Sequence, residues 1–444
     1  MRSGTFGYTD ARMRPNGREK DSVATHLMRR ELGVDLDRAS IANKLVAQKL
    51  MPSTKPDTII RHDARVYSGQ FSDDGDFFFS CGQDMRVHMY DTSNPYHWKH
   101  YKTVRYQAGQ WTITDASLSP DNRFLAYSSI RCVVYLAPTD PNDHSEPLFL
   151  DFSNVARSVG YDRTGFVDRG DFGIWSVRFS GDGREIVAGT GDHCVYVYDI
   201  ETRQTTLRIA AHDDDVNAVC FGDSSIPHIL YSGSDDATVK VWDRRSMGDS
   251  REAGAFVGHT EGITYVDSKG DGRYVLSNSK DQSMKLWDLR KMVTAEQFDR
   301  LDRTNIPNDE FDYRFMQWEP HDHYRVHPND GSLVSFRGHR VLKTLIRCHF
   351  SPPASTDSRY VYSGSEDGSV YIYNLDATVA GKIDVKTATK GAGLREKRDA
   401  YRRENMYRRR NMGTWETCVR DVSWHPHAPV VAGKSCSGGP LFRS

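Results

Sequence analysis

Two stretches of the chain, VKVWDRRS ending at Ser246 and MKLWDLRK ending at Lys291, lie forty-five residues apart and share one pattern. Each runs apolar, Lys, apolar, Trp, Asp, any residue, Arg. The two arginines, Arg245 and Arg290, offer planar forks of donors that match a carboxylate or a carbonyl. One turn arginine is ordinary surface chemistry; a pair on neighbouring units is a candidate contact for another protein. The residue at the same offset in three related units is Ser93, Glu201 or Asp376, so the arginine belongs to these two alone.

A second constellation has the residue types of a hydrolase. His212, His259 and His339 precede Asp236, Asp281 and Asp367, with serines such as Ser277 and Ser279 between them. A catalytic triad is one exposed set beside an oxyanion site, whereas this set recurs. It is therefore assigned to buried hydrogen bonding: His259 to Ser277 or Ser279 to Asp281, with the Trp287 indole nearby. His321, His323 and His327 have a spacing a metal could use, but no Cys accompanies them, and neither a metal nor a cofactor is assigned. The chain lacks G-x-S-x-G, H-E-x-x-H and a phosphate loop, so it is predicted not to be an enzyme.

A repeat supplies the elements that must position these residues. SCGQDMRVHMYD, GTGDHCVYVYD, SGSDDATVKVWD, SNSKDQSMKLWD and SGSEDGSVYIYN all place an Asp six residues before an aromatic: Asp84/Tyr90, Asp192/Tyr198, Asp236/Trp242, Asp281/Trp287 and Asp367/Tyr373. Upstream of each lies an alternating apolar run such as WSVRFS or VNAVCF, then a polar turn and a second run, which reads as strands and tight turns. A unit of about 40–45 residues closing on Trp-Asp is one four-stranded propeller blade. TDASLSPDNRFLAYSSIRCVVYLA is a degenerate sixth unit with Ser129 in place of Asp, and VRDVSWHP with PVVAGKSCSGGPLFRS forms an irregular seventh. The fold expected is an all-β, seven-bladed propeller with a short α-helical N-terminal extension. A propeller has to close its ring, and the extended segment near DTIIRH is placed to supply the last blade's outer strand.

Residues 1–56 form the extension, with two short helices expected in SVATHLMRRELG and SIANKLVAQKLM, and residues 57–444 form the propeller. Three insertions interrupt it. Residues 154–172 and 386–414 fall before inner strands and are expected on the top face, and residues 291–330 follow a third strand and are expected on the bottom face. Segment 386–414 carries ten Lys/Arg against three Asp/Glu. Its Arg402, Arg403, Arg408, Arg409 and Arg410 are candidate substrate-binding residues for acidic or phosphorylated segments, or a localisation signal.

Composition narrows the classes further. A net charge of −1 gives no global footprint for nucleic acid, and no run approaches a membrane span in length. The N-terminus has no apolar leader region. Seven cysteines without a C-x-x-C pair point to a reducing intracellular compartment.

The double Trp-Asp-x-Arg signature, Trp242-Asp243-Arg244-Arg245 and Trp287-Asp288-Leu289-Arg290, resembles that of the WD-repeat substrate receptors of cullin-4 RING ubiquitin ligases. HDDDVNAVCF, GHTEGITYVDSKGDGRYVLSNSKDQSMKLWDLR, SFRGHRVLKTLIRCHFSP and CVRDVSWHP extend the resemblance over residues 60–430. It implies that Trp242, Asp243, Arg245, Trp287, Asp288 and Arg290 face the ligase's propeller adaptor. Through the adaptor the chain would join cullin-4 and a RING protein, in nucleus and cytoplasm, with protein substrates as its cargo. The rival class is a scaffold or chromatin/RNA-binding propeller unconnected to ubiquitin, which a basic channel with stacking aromatics and strong salt dependence would mark.

Overall fold

In three of the repeats the Asp works as a turn device. In the computed structural model of the chain, Asp236, Asp281 and Asp367 accept the backbone N–H two residues on, from Thr238, Ser283 and Ser369, at 2.9, 2.9 and 3.0 Å. The intervening residue takes left-handed backbone, with φ of 65° at Ala237, 63° at Gln282 and 81° at Gly368. An Asp side chain that bonds its own backbone two residues on stops one strand and starts the next. The aromatic six residues later then ends that next strand, which explains the fixed offset in the sequence.

The structure describes residues 28, 32, 51–52, 55–62, 64–107, 109, 111–153, 172–223, 225–246, 251–301, 312–316, 318, 327–389 and 417–435, together with the backbone of 440–443. Among these the strands pair, antiparallel throughout, into seven sheets, six of four strands and one of five. The expected N-terminal helices lie outside the described residues except for Met28, Leu32 and Met51.

The first sheet runs Val66–Phe71, Phe77–Gly82, Arg86–Asp91 and Lys99–Arg105, and the second Ile113–Leu118, Phe124–Ser129, Val133–Pro138 and Leu148–Asp151. The third runs Ile174–Phe179, Glu185–Thr190, Cys194–Asp199 and Gln204–Ala210. The fourth runs Val216–Asp223, Ile226–Ser234, Val239–Asp243 and Gly254–Phe256, extended by Val293–Thr294. The fifth runs Ile263–Ser268, Tyr274–Ser279, Met284–Asp288 and Val334–Phe336, and the sixth Cys348–Phe350, Tyr360–Ser363, Ser369–Asn374 and Val379–Asp384. The first strand of each sheet packs beside the first strand of the next. Val419–Trp424, which opens the seventh sheet, touches both Cys348–Phe350 and Val66–Phe71, so the inner strands form a closed ring around a channel. This is an all-β propeller of the WD-repeat kind.

The seventh sheet completes itself with the two ends of the chain. Val431–Ser435 pairs with Pro440–Arg443, and Thr58–Arg61 pairs with that strand in turn, Ile59 opposite Phe442 and Ile60 opposite Leu441. The segment near DTIIRH thus supplies the outer strand, and the irregular tail, although it has no turn Asp, still forms a third strand. Each exposed edge that pairing removes is one fewer template for aggregation.

Insertion 291–330 departs from expectation. It leaves the bottom end of the fifth sheet, adds Val293–Thr294 to the outer edge of the fourth, and buries Phe298 against Ala255 and Val257. Its described turn at Asp312–Met316 then reaches the top, where Lys343 N–H donates to Tyr313 O at 2.7 Å. An open sheet edge gains hydrogen bonds from a passing strand, which draws the chain up the flank instead of leaving it on the bottom face.

Candidate functional site

The His, Ser and Asp sets are internal. His212 Nδ1 lies 2.8 Å from Asp236 and its Nε2 2.7 Å from Ser232 Oγ, which also accepts the Trp242 indole N–H at 2.8 Å. His259 repeats this with Asp281 at 2.8 Å and Ser277 at 2.7 Å, and the Trp287 indole donates to Ser277 at 2.7 Å. Ser277, rather than Ser279, is the relay; Ser279 donates to Glu261 O. Burial pushes the Asp281 carboxyl up, but the charge and hydrogen bond of His259 outweigh it and hold it well below the carboxylate range.

Two assignments need correction. His339 and Asp367 do not share a network: His339 bonds Asn278 Oδ1 of the fifth sheet at 2.9 Å and the Tyr373 hydroxyl at 3.1 Å, while Asp367 takes the Tyr371 hydroxyl and Lys382. Tyr373 stands where the fourth and fifth sheets have Trp, and its hydroxyl reaches the imidazole directly. Trp242 and Trp287 are each 1% exposed, so their indoles brace the blade and present nothing to a docking partner.

Past them the chain reaches solvent at Arg245 and Arg290, while Asp243 is partly exposed and Asp288 is buried, so Asp288, like the indoles, presents nothing to a partner. Asp243 and Asp288 end the third strands of adjacent sheets, and each accepts the backbone N–H two residues on, from Arg245 and Arg290, at 3.0 Å. In the fourth sheet the Arg245 guanidinium folds back on Asp243 with two bonds, 3.0 and 2.8 Å. Those bonds hold the Asp243 carboxyl down at about 2. In the fifth sheet Arg273, at the start of the second strand, clasps Asp288 at 2.8 Å instead. Arg290 is left exposed, its guanidinium making no hydrogen bond to a described residue. Arg244 is a structural neighbour: it grips Glu185 of the third sheet bidentately at 2.5 and 2.8 Å. These turns form the bottom rim, opposite the end that carries the Asp turns.

A belt of buried charge crosses the channel, and sequence reasoning missed it. Asp115 binds Arg178 at 2.5 Å and Arg347 at 2.8 Å, and accepts the Val177 N–H at 3.0 Å. Asp421 binds His349 at 3.1 Å, lies 3.9 Å from Lys434 and accepts the Gly69 N–H at 3.1 Å. Burial drives both carboxyls up, and the facing cations more than offset it. The signal was present: ITDAS and VRDVS share apolar-x-Asp-x-Ser in two inner strands, and the serines, Ser117 and Ser423, accept from Phe179 and Phe71 N–H of the next sheet.

The other candidates divide as follows. Arg402, Arg403, Arg408, Arg409 and Arg410 lie outside the described residues, as do His321 and His323. His327 is buried, and its Nδ1 accepts the Asn329 N–H at 3.0 Å.

A family model described as "WD domain, G-beta repeat" matches residues 54–91, 166–199, 203–243, 251–288 and 331–374. The LEC14B protein of Lithospermum erythrorhizon is 40% identical over 401 residues, covering 88% of this chain and 75% of the relative. The LEC14B homolog of Prunus armeniaca is 40% identical over 395 residues with the same coverage. The DDB1- and CUL4-associated factor 11 homolog of Caenorhabditis elegans is 34% identical over 413 residues, 90% of this chain and 65% of that relative.

Proposed function

Because the chain belongs to the LEC14B family of WD-repeat proteins, a non-catalytic scaffold class, we propose that it is a substrate receptor of a cullin-4 RING ubiquitin ligase. It docks on the ligase's propeller adaptor and presents target proteins for ubiquitination. The name of the Caenorhabditis elegans relative supports the partner, and the observation that carries the site is the rim itself. Two adjacent sheets end their third strands in Asp followed by arginine, with one guanidinium exposed and not hydrogen-bonded to a described residue, and the other held by an exposed pair. Surface pairs of that kind contribute little and exchange readily for a partner's carboxylate.

The chemistry in this reading is proximity. A receptor that holds its target near a ligase-bound ubiquitin conjugate raises the effective concentration of the reacting groups without touching the bond that forms. Adaptor docking is assigned to the bottom rim, and substrate capture to the top face. The segment bearing Arg402, Arg403, Arg408, Arg409 and Arg410 branches there, between Thr389 and Thr417, whose hydroxyls lie 2.6 Å apart. With this reading goes the count of seven blades in one ring, and nucleus and cytoplasm as the setting. Affinity purification of the chain from cells tests it: cullin-4, its adaptor and a RING protein are expected among the co-purifying species. Purification without the adaptor, with nucleic acid retained in a salt-dependent way, would favour the chromatin or RNA scaffold instead.

A further inference from the structure

At its top end the channel opens into a cavity of about 590 Å³ whose wall carries five aromatic rings, Tyr67, Trp111, Trp175, Tyr265 and Tyr313. Most cations around it are engaged. Lys280 holds Asp235 at 2.8 Å and lies over Tyr313, Arg314 is clasped by Asp312, Lys343 pairs with Glu366, and Arg347 pairs with Asp115. Arg420 donates to Leu345 O and covers the Tyr67 ring. Arg65, exposed at the lip, forms no ion pair with a described residue.

The opposite wall is different. Asp215 is half-buried, forms no ion pair with a described residue, and stands among Asp214, Asp235 and the Trp175 indole N–H. Burial and the two neighbouring carboxylates push its carboxyl up by more than the nearby His193 and the Trp175 indole hold it down, so this wall of the mouth stays rich in negative charge. Beside it Trp111 is 58% exposed, its ring 6.4 Å from Trp175 and near perpendicular to it. An exposed indole against a solvent-filled cavity forgoes burial worth having, and its face attracts a cation.

We propose that this mouth takes a cationic side chain, arginine or lysine, of a target protein, with the rings of Trp111 and Trp175 against the cation and Asp215 as its counter-charge. The proposal rests on the receptor reading above and names the substrate chemistry of the face assigned to capture. Phe315, 84% exposed, and Met316, 50% exposed, sit in the insertion turn whose Tyr313 and Arg314 line the same mouth. They supply apolar contact for the residues flanking that cation. Lys280, Arg314, Lys343 and Arg347 are already held by carboxylates that an acidic ligand would have to displace, which argues against one.

The test uses the full chain and blocked tripeptides, acetyl-Gly-Arg-Gly-amide with its lysine and glutamate counterparts, titrated by tryptophan fluorescence and calorimetry. The arginine or lysine peptide is expected to saturate and the glutamate peptide not to. Asp215→Asn and Trp111→Ala should each weaken binding about tenfold, with Asp215→Glu restoring part of the loss and all three variants keeping the parent unfolding midpoint. Saturation by the glutamate peptide alone would assign the mouth to acidic segments through Arg65 and overturn the proposal. No saturation by any peptide, or unchanged affinity in Asp215→Asn, would overturn it equally. Adaptor co-purification of Asp215→Asn should match the parent chain, so failure at the mouth and failure of the docking reading are told apart.

Discussion

Asp243 and Asp288 occupy the same position in adjacent sheets, yet they hold different arginines. Arg273 clasps Asp288 and so releases Arg290, whereas Arg245 has to leave Asp243 before it can serve a partner. Arg290→Ala is therefore expected to weaken adaptor binding about tenfold, and Arg245→Ala by less, since part of its gain replaces an existing pair. Binding of purified adaptor to each variant checks the order, and equal losses would contradict it. Inside the blade the accounting differs. Asp281→Ala removes the acceptor of His259, Ser283 and the Thr260 N–H, and should lower the unfolding free energy by about 1–3 kcal/mol. Urea titration measures this, and full retention of stability would remove Asp281 from the network. His259 and Asp281 were legible because three side chains that meet need fixed offsets along the chain. His339 was not, because a Tyr hydroxyl and an Asn from the next sheet replace partners that the repeat would suggest. The belt left only the shared Asp-x-Ser of Asp115 and Asp421 as a signal, because partners such as Asp115 and Arg347 lie in different sheets far apart in sequence, and a single charged residue in an alternating strand reads as facing water.

The strands themselves were legible from their period of two and from the Asp turns, and their ends fall where Gly, Asp and Ser cluster. Insertion 291–330 was not, since nothing in its composition says which open edge will take it; Val293–Thr294 pairs with Gly254–Phe256 because that edge is available. The sixth sheet carries a pH dependence of its own. Burial holds His339 down at about 4, against 6.5 for an exposed imidazole. Between those values the unfolded chain binds the proton that the folded chain refuses, so stability attributable to His339 is full above about 6.5 and is lost as pH falls toward 4. His339→Gln can keep bonds to Asn278 and Tyr373 and should flatten the stability slope between pH 6.5 and 4 by roughly one proton. Urea titrations across that range test it, and an unchanged slope would place the titrating group elsewhere.

At the scale of the whole molecule, closure depends on the pairing of Thr58–Arg61 with Pro440–Arg443. A chain starting at residue 64 lacks the outer strand of the seventh sheet, exposes an edge, and should unfold at lower urea with a greater tendency to aggregate. Equal midpoints would mean that the inner ring and its belt of Asp115, Arg178, Arg347, Asp421 and Lys434 carry closure alone. A ring held in this way keeps its two ends apart, one with the rim arginines and one with the aromatic mouth, which is the geometry a receptor uses to bind ligase and target at once. The most direct measurement is the affinity of purified cullin-4 adaptor for the chain carrying Arg245→Glu with Arg290→Glu. A loss of about 100-fold or more, with the unfolding midpoint and peptide binding at the mouth unchanged, is the predicted result. Parent-like adaptor affinity in that double variant would contradict the docking rim and with it the receptor assignment.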